Sequence, residues 1–193
     1  MRLILASASP RREQLLRQIG LTFEVIPSQV DETVPAEMTQ NHGALVQELA
    51  LRKAAAVARH LSGGLVIGAD TIVVSKNGDI LGKPVSRGKA VEMLTCLNGQ
   101  SHHVFTGIAL ADALSGRCRQ AFQETEVSFR QLSLAEIEAY VNTGEPVDKA
   151  GAYGIQGMGA LLVEKINGCY FNVVGLPLTK LAVLLREFGI RVL

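Results

Sequence analysis

The stretch Arg2-Leu3-Ile4-Leu5-Ala6-Ser7-Ala8-Ser9-Pro10-Arg11-Arg12-Glu13-Gln14-Leu15-Leu16-Arg17-Gln18-Ile19-Gly20 decides the fold class. The apolar run Leu3 to Ala6 reads as a strand and stops at a small, hydroxyl-rich turn. Pro10 suits the first position of a helix, where a missing N–H costs nothing, and Ser9 before it is a candidate N-cap. Leu15, Leu16 and Ile19 recur at helical spacing, and Gly20 ends the pattern. Arg11 and Arg12 fall in the first turn of that helix. The free N–H groups of a helix start attract anions, so arginines there oppose helix stability unless an anion is held between them and the backbone. Their planar donors suit phosphate. Taken alone, the segment reads as an ordinary Ser-Pro cap with solvated arginines; the rest of the chain has to supply the anion.

Working outward, strand and helix signals alternate. Residues 21–26 read as a strand, 27–35 as a polar loop carrying Asp31 and Glu32, and 43–61 as an Ala/Leu-rich helix stopped by Ser62-Gly63-Gly64. Residues 65–75 (LVIGADTIVVS) read as a strand broken in the middle by Gly68-Ala69-Asp70, followed by the hairpin signal Asn77-Gly78. Ser86 caps a helix over 87–97 that ends at Asn98-Gly99. Residues 102–112 and 118–131 form a long hairpin around Ser115-Gly116. Ser133 and Glu136 make a capping box, and the helix they open stops at Gly144. A glycine-rich tract covers 148–159. A strand at 160–166, a turn at Asn167-Gly168, a return strand at 169–175 and a helix over 177–188 complete the chain. The alternation implies an α/β fold, and the hairpins imply a mixed rather than purely parallel sheet. With no internal repeat, low-complexity segment or long linker, residues 1–193 read as a single domain.

The chain has 48% apolar and 19% charged residues, enough for a substantial core, and a net charge of +1. Long nucleic acid as a partner calls for a strong basic excess, which is missing here. Cys96, Cys118 and Cys169 are far apart and form no C-x-x-C pair, and the four histidines make no metal motif. A reduced, cytoplasmic compartment fits this usage. Leu3 to Ala6 is shorter than the apolar core of a signal peptide, and no apolar run approaches the roughly 20 residues that span a bilayer.

Several residues carry candidate chemistry. Asp70 interrupts an apolar strand, where an acid is costly unless paired, metal-bound or at an exposed end; Gly68 beside it lets a ligand or another backbone approach. Asp31 and Glu32 read as solvated loop acids in isolation, but with Asp70 they supply oxygen ligands of the kind Mg²⁺ takes alongside substrate phosphates. Lys53 lies in the Ala-rich helix, where lysine is normally solvated. Lys83, in Gly82-Lys83-Pro84, sits in a turn rigid enough to aim an ammonium group. In Asp148-Lys149-Ala150-Gly151-Ala152-Tyr153-Gly154-Ile155-Gln156-Gly157, three glycines permit close backbone approach to a ligand. The tract fits neither a P-loop nor a dinucleotide fingerprint. Tyr153 can pack on a base, and Gln156 can bond a base edge as both donor and acceptor. No serine or cysteine has a convincing base partner for nucleophilic catalysis.

Together these segments resemble the Maf family of nucleotide pyrophosphatases over nearly the whole chain: Ser7 to Arg12, Val30-Asp31-Glu32, Lys53, Gly68 to Thr71, Gly82-Lys83-Pro84 and the 148–157 tract, in order. The resemblance implies an elongated, twisted mixed sheet with flanking helices and two lobes around a deep cleft, as in the related inosine triphosphatases, and often a homodimer. It implies hydrolysis of a nucleoside triphosphate to the monophosphate and pyrophosphate, dependent on Mg²⁺ or Mn²⁺ held by Asp70 and Glu32. Asp70 matches the catalytic base, with Lys53 and Lys83 as catalytic cations. Ser7, Ser9, Arg12, Thr71 and Gln156 match substrate contacts, the last three tied to base selectivity. The Lys149 to Gly157 sequence looks like the branch acting on dTTP, UTP and modified pyrimidine nucleotides. A branch acting on 7-methyl-GTP carries Glu in place of Gln, which suits its cationic base. A non-enzymatic, nucleotide- or nucleic-acid-binding regulator of cell division is the remaining alternative.

Overall fold

The computed structural model describes residues 1–30 and 40–193, so Asp31 and Glu32 lie outside the described residues. Strands β1 (Leu3–Leu5), β2 (Glu24–Val25), β3 (Leu65–Val74), β4 (Ile80–Leu81), β5 (Ser101–Asp112), β6 (Cys118–Phe129) and β7 (Val163–Asn167) alternate with helices α1 (Pro10–Gln18), α2 (His42–Ala58), α3 (Arg87–Leu97), α4 (Leu134–Asn142), α5 (Tyr170–Val174) and α6 (Leu178–Glu187). Among the described residues the sheet order is β2-β1-β3-β5-β6-β7, with β4 also paired to β3. β1 runs parallel to β2 and β3, while β4 is antiparallel to β3 and β7 to β6. The sheet is therefore mixed and the fold α/β, as the alternation implied. The chain forms two compact units: residues 1–70, 106–123 and 175–193 make the first, and 71–105 and 124–174 the second.

In the first unit, α2 lies against one face of the sheet. Val46, Ala50, Lys53, Ala54 and Val57 form a buried stripe at helical spacing. Apolar strand residues, three of them alanines, alternate toward it. Ile4 and Ala6, then Val66, then Ala109 and Ala111, share one core with Ala50, Ala54, Val57 and Ala58. At the two tightest points the strand residue is glycine. A Cβ on Gly68 would lie 2.2 Å from the Ala50 carbonyl oxygen, and one on Gly107 would lie 2.0 Å from that of Val46. Helix backbone thus rests directly on strand backbone, which only a residue without a side chain permits.

The second unit has its own core. Val73, Leu94, Leu97, Val127, Phe129, Leu132, Ile137 and Tyr140 bury together with Tyr153 and Leu162. Its helix starts follow the sequence signals. Ser86 Oγ accepts the Lys89 N–H at 3.1 Å, and Ser133 and Glu136 complete a reciprocal capping box.

Three elements differ from the sequence reading. Strand β3 is continuous from Leu65 to Val74 rather than broken at 68–70. Gly68 and Asp70 interrupt its hydropathy but not its backbone, because both alternate toward α2. Residues 169–175 do not form a return strand; Tyr170–Val174 is a short helix. Side chains dictate this: the buried Asn172 amide donates to Val104 O and to Thr125 Oγ1, both at 2.9 Å, and Thr125 Oγ1 also accepts the Cys169 N–H at 3.0 Å. The strand placed at 160–166 begins only at Val163, because Gly157–Leu161 is taken up by a 3-10 turn. Among the described residues no helix is long and apolar enough to cross a membrane.

Candidate active site

The close approach of α2 to β3 carries a chemical consequence. Gly68 and Asp70 are two residues apart, so both side-chain positions face α2, and Lys53 follows Ala50 by one turn. Lys53 Nζ donates to Asp70 Oδ1 at 2.6 Å, with both residues only 7% exposed. An acid in an apolar strand is costly unless paired, and the partner of Asp70 is Lys53, a residue type that by itself points to a solvated surface. The approach that Gly68 permits is that of helix backbone, not of a ligand. Among the described residues, the second Asp70 oxygen takes no hydrogen bond.

The turn after β1 is organised by Ser7. Its Oγ accepts the Ser9 N–H at 3.2 Å and Arg12 Nη1 at 3.1 Å, while Arg12 Nε donates to Gly175 O at 2.9 Å. Ser9 occupies the N-cap position of α1 with Pro10 following, but its side chain makes no capping hydrogen bond, contrary to the capping role read from sequence. The Ser9 hydroxyl therefore does not satisfy the N–H groups at the start of α1. Arg12 is anchored at two of its donors, which fixes its charge in place rather than leaving it solvated.

Thr71, Lys83 and Gln156 belong to the second unit. Thr71 follows Asp70 on β3 and alternates to the opposite face. Lys83 is exposed beside the buried Pro84. The turn that carries Lys83 is tied to the glycine-rich tract, since Gly82 O accepts the Gly151 N–H at 3.1 Å. Gln156 is half-buried, in extended conformation, immediately before the 3-10 turn. Its side chain takes no hydrogen bond among the described residues.

Tyr153 has a different role from the base platform suggested by sequence. It is 5% exposed and packs edge-on against Phe129 and His102, with ring centroids 4.7 and 5.3 Å apart. Its hydroxyl lies 2.7 Å from His102 Nε2. Burial pushes the Tyr153 hydroxyl pKa up, and the nearby Tyr140 adds to this. Burial, with the adjacent His103 charge, lowers His102 to about 4. Both groups are thus neutral near pH 7, and this pair is structural. Neither His102 nor Glu145, whose carboxylate bonds the backbone after Gln156, belongs to a sequence motif; only the fold brings them to the tract.

The donor chemistry at Asp70 fits a hard divalent cation. Among the described residues no group of three or more His, Cys, Asp or Glu side chains forms a metal cage. Mg²⁺ and Mn²⁺ do not need one, because they bind through one or two carboxylates with substrate phosphates and water completing the shell.

The family profile described as Maf-like protein matches residues 2–188. A curated dTTP/UTP pyrophosphatase of Desulforamulus reducens is 54% identical over 190 residues, covering 98% of both chains. One of Moorella thermoacetica is 53% identical over 191 residues, covering 99% of this chain and 97% of its own. Another, of Pelotomaculum thermopropionicum, is 51% identical over 191 residues, covering 99% and 98%.

Proposed function

The chain belongs to the Maf family, and we propose that it is an enzyme hydrolysing dTTP and UTP to the nucleoside monophosphate and pyrophosphate. The observation that carries the chemistry is the buried Lys53–Asp70 pair, held at 2.6 Å by a helix that Gly68 admits to the strand. The full-length similarity to curated dTTP/UTP pyrophosphatases supports the substrate class.

In this reading Asp70 orients a water and takes its proton as the water oxygen bonds the α-phosphorus. The bridging bond between the α- and β-phosphates breaks, and pyrophosphate leaves with the electron pair. Lys53 holds the Asp70 carboxylate in one orientation. Arg12, fixed by Ser7 and Gly175, together with Lys83 and the N–H groups following Ser9, neutralises the triphosphate. Thr71 and Gln156 select the base; the neutral amide of Gln156 complements an uncharged uracil or thymine edge and not a cationic methylated guanine. Asp70 and Glu32 are the proposed protein ligands of Mg²⁺ or Mn²⁺, together with phosphate oxygens. When bound, that cation supplies charge neutralisation and polarises the phosphoryl oxygens.

A panel of dTTP, UTP, 7-methyl-GTP and the other common triphosphates, with Mg²⁺ or Mn²⁺ and detection of pyrophosphate, tests this reading. The expected result is turnover of dTTP and UTP with monophosphate and pyrophosphate in equal amounts. Preferential turnover of 7-methyl-GTP, or binding without turnover, overturns it. A cytoplasmic location and a homodimer belong to the same proposal. The first is supported by three unpaired cysteines. The second rests on the family, and a monomeric mass by light scattering refutes it.

A further inference from the structure

The tract that carries Gln156 is gripped by the end of α4. Glu145 begins the 3-10 turn Glu145–Asp148 shortly after that helix. Its Oε1 accepts the Met158 N–H at 2.9 Å and its Oε2 accepts the Gly159 N–H at 3.3 Å. These N–H groups lie in the first turn of Gly157–Leu161, and a carboxylate remote in sequence caps them. Gly157 lies between Gln156 and the clamped pair with φ +64°, and a Cβ there would come within 2.8 Å of Glu145 Oε1. The glycine therefore provides both the left-handed backbone and the room for the carboxylate. On the other side, the Gly154 N–H donates to the hydroxyl of Tyr140, on α4, at 3.3 Å. Gln156 is thus suspended between two anchors from the same helix end, while its own side chain takes no hydrogen bond among the described residues.

An amide presents both a donor and an acceptor, so it discriminates between base edges only where the backbone behind it is fixed. We propose that Glu145 is a specificity-positioning residue: by clamping Met158 and Gly159 it sets the position from which Gln156 reads the pyrimidine base. The inference rests on the reading of Gln156 as a base-selecting side chain.

The test measures kcat/KM for dTTP, dCTP and dGTP in the wild-type protein and in Glu145→Ala, Glu145→Gln and Gln156→Ala, with thermal midpoints for each. Glu145→Ala should reduce the preference for dTTP about tenfold or more, since a small misplacement of a positioning group has effects of that order. Glu145→Gln keeps one acceptor oxygen and should give a smaller loss in the same direction. A purely structural carboxylate would lower all three substrates together and leave the ratios unchanged, and that result overturns the proposal. If Glu145→Ala does not fold, unchanged ratios in Glu145→Gln overturn it equally. A Gln156→Ala protein that loses the preference while the Glu145 variants keep it defeats the clamp alone. A Gln156→Ala protein that keeps the preference defeats the reading of Gln156, and the clamp with it.

Discussion

Neutralising Lys53 alone should destabilise the protein far more than neutralising Lys53 and Asp70 together. At 2.6 Å the gross attraction between the two charges is about 6 kcal/mol at an effective dielectric constant of about 20. Removing two ions from water costs several kcal/mol each, so the net contribution of the intact pair is small. Lys53→Met changes that balance. It leaves the Asp70 carboxylate 7% exposed without its ammonium partner, a loss of about 3–5 kcal/mol. For a chain of this size that corresponds to a fall in Tm of roughly 6–20 °C. Adding Asp70→Asn to the same protein removes the stranded charge and should restore most of the loss. Urea denaturation of wild type, both single variants and the double variant, analysed as a thermodynamic cycle at pH 7, measures this directly. Additive single-variant effects, or a loss below about 1 kcal/mol for Lys53→Met, would refute the buried-pair argument.

Asp70→Asn should lower dTTP turnover by at least about 10²-fold, the lower end of general-base contributions, as read by steady-state pyrophosphate release; near-normal turnover removes Asp70 from the base role. Gly68→Ala should cost about 1–3 kcal/mol and reduce turnover, because a methyl group 2.2 Å from Ala50 O forces α2 off the strand and carries Lys53 with it; a variant with wild-type stability and kcat contradicts that packing. His102 has a folded pKa of about 4, below its ordinary 6.5. The unfolded chain therefore binds the extra proton in that window, so this contribution is complete above pH 6.5 and is lost as pH falls toward 4. The loss is about 3 kcal/mol in all, and His102→Phe should show a correspondingly shallower decline in stability over the window by urea denaturation.

Asp70 was legible in the sequence because an acid in an apolar strand demands a reason, and so was the mixed α/β class, because strand, helix and hairpin signals alternate. Lys53 was less so. Its register on the stripe formed by Ala50, Ala54 and Val57 is the available signal that it is buried, and residue type alone points the other way. Gly68 announced a close approach without identifying what approaches. Tyr153 looked like a ligand platform because a glycine-rich tract suggests a surface loop, but its partners Phe129 and His102 come from strands distant in sequence. The same holds for Tyr170–Val174, whose helix is set by Asn172 reaching Val104 and Thr125, and for Glu145, whose carboxylate finds its N–H partners only through the fold.

The most direct test of the central claim is hydrolysis of dTTP in ¹⁸O-labelled water with the products resolved by mass spectrometry. Attack on the α-phosphorus predicts one labelled oxygen in dTMP, unlabelled pyrophosphate and no orthophosphate. Label in the pyrophosphate, or release of orthophosphate from intact dTTP, would contradict it.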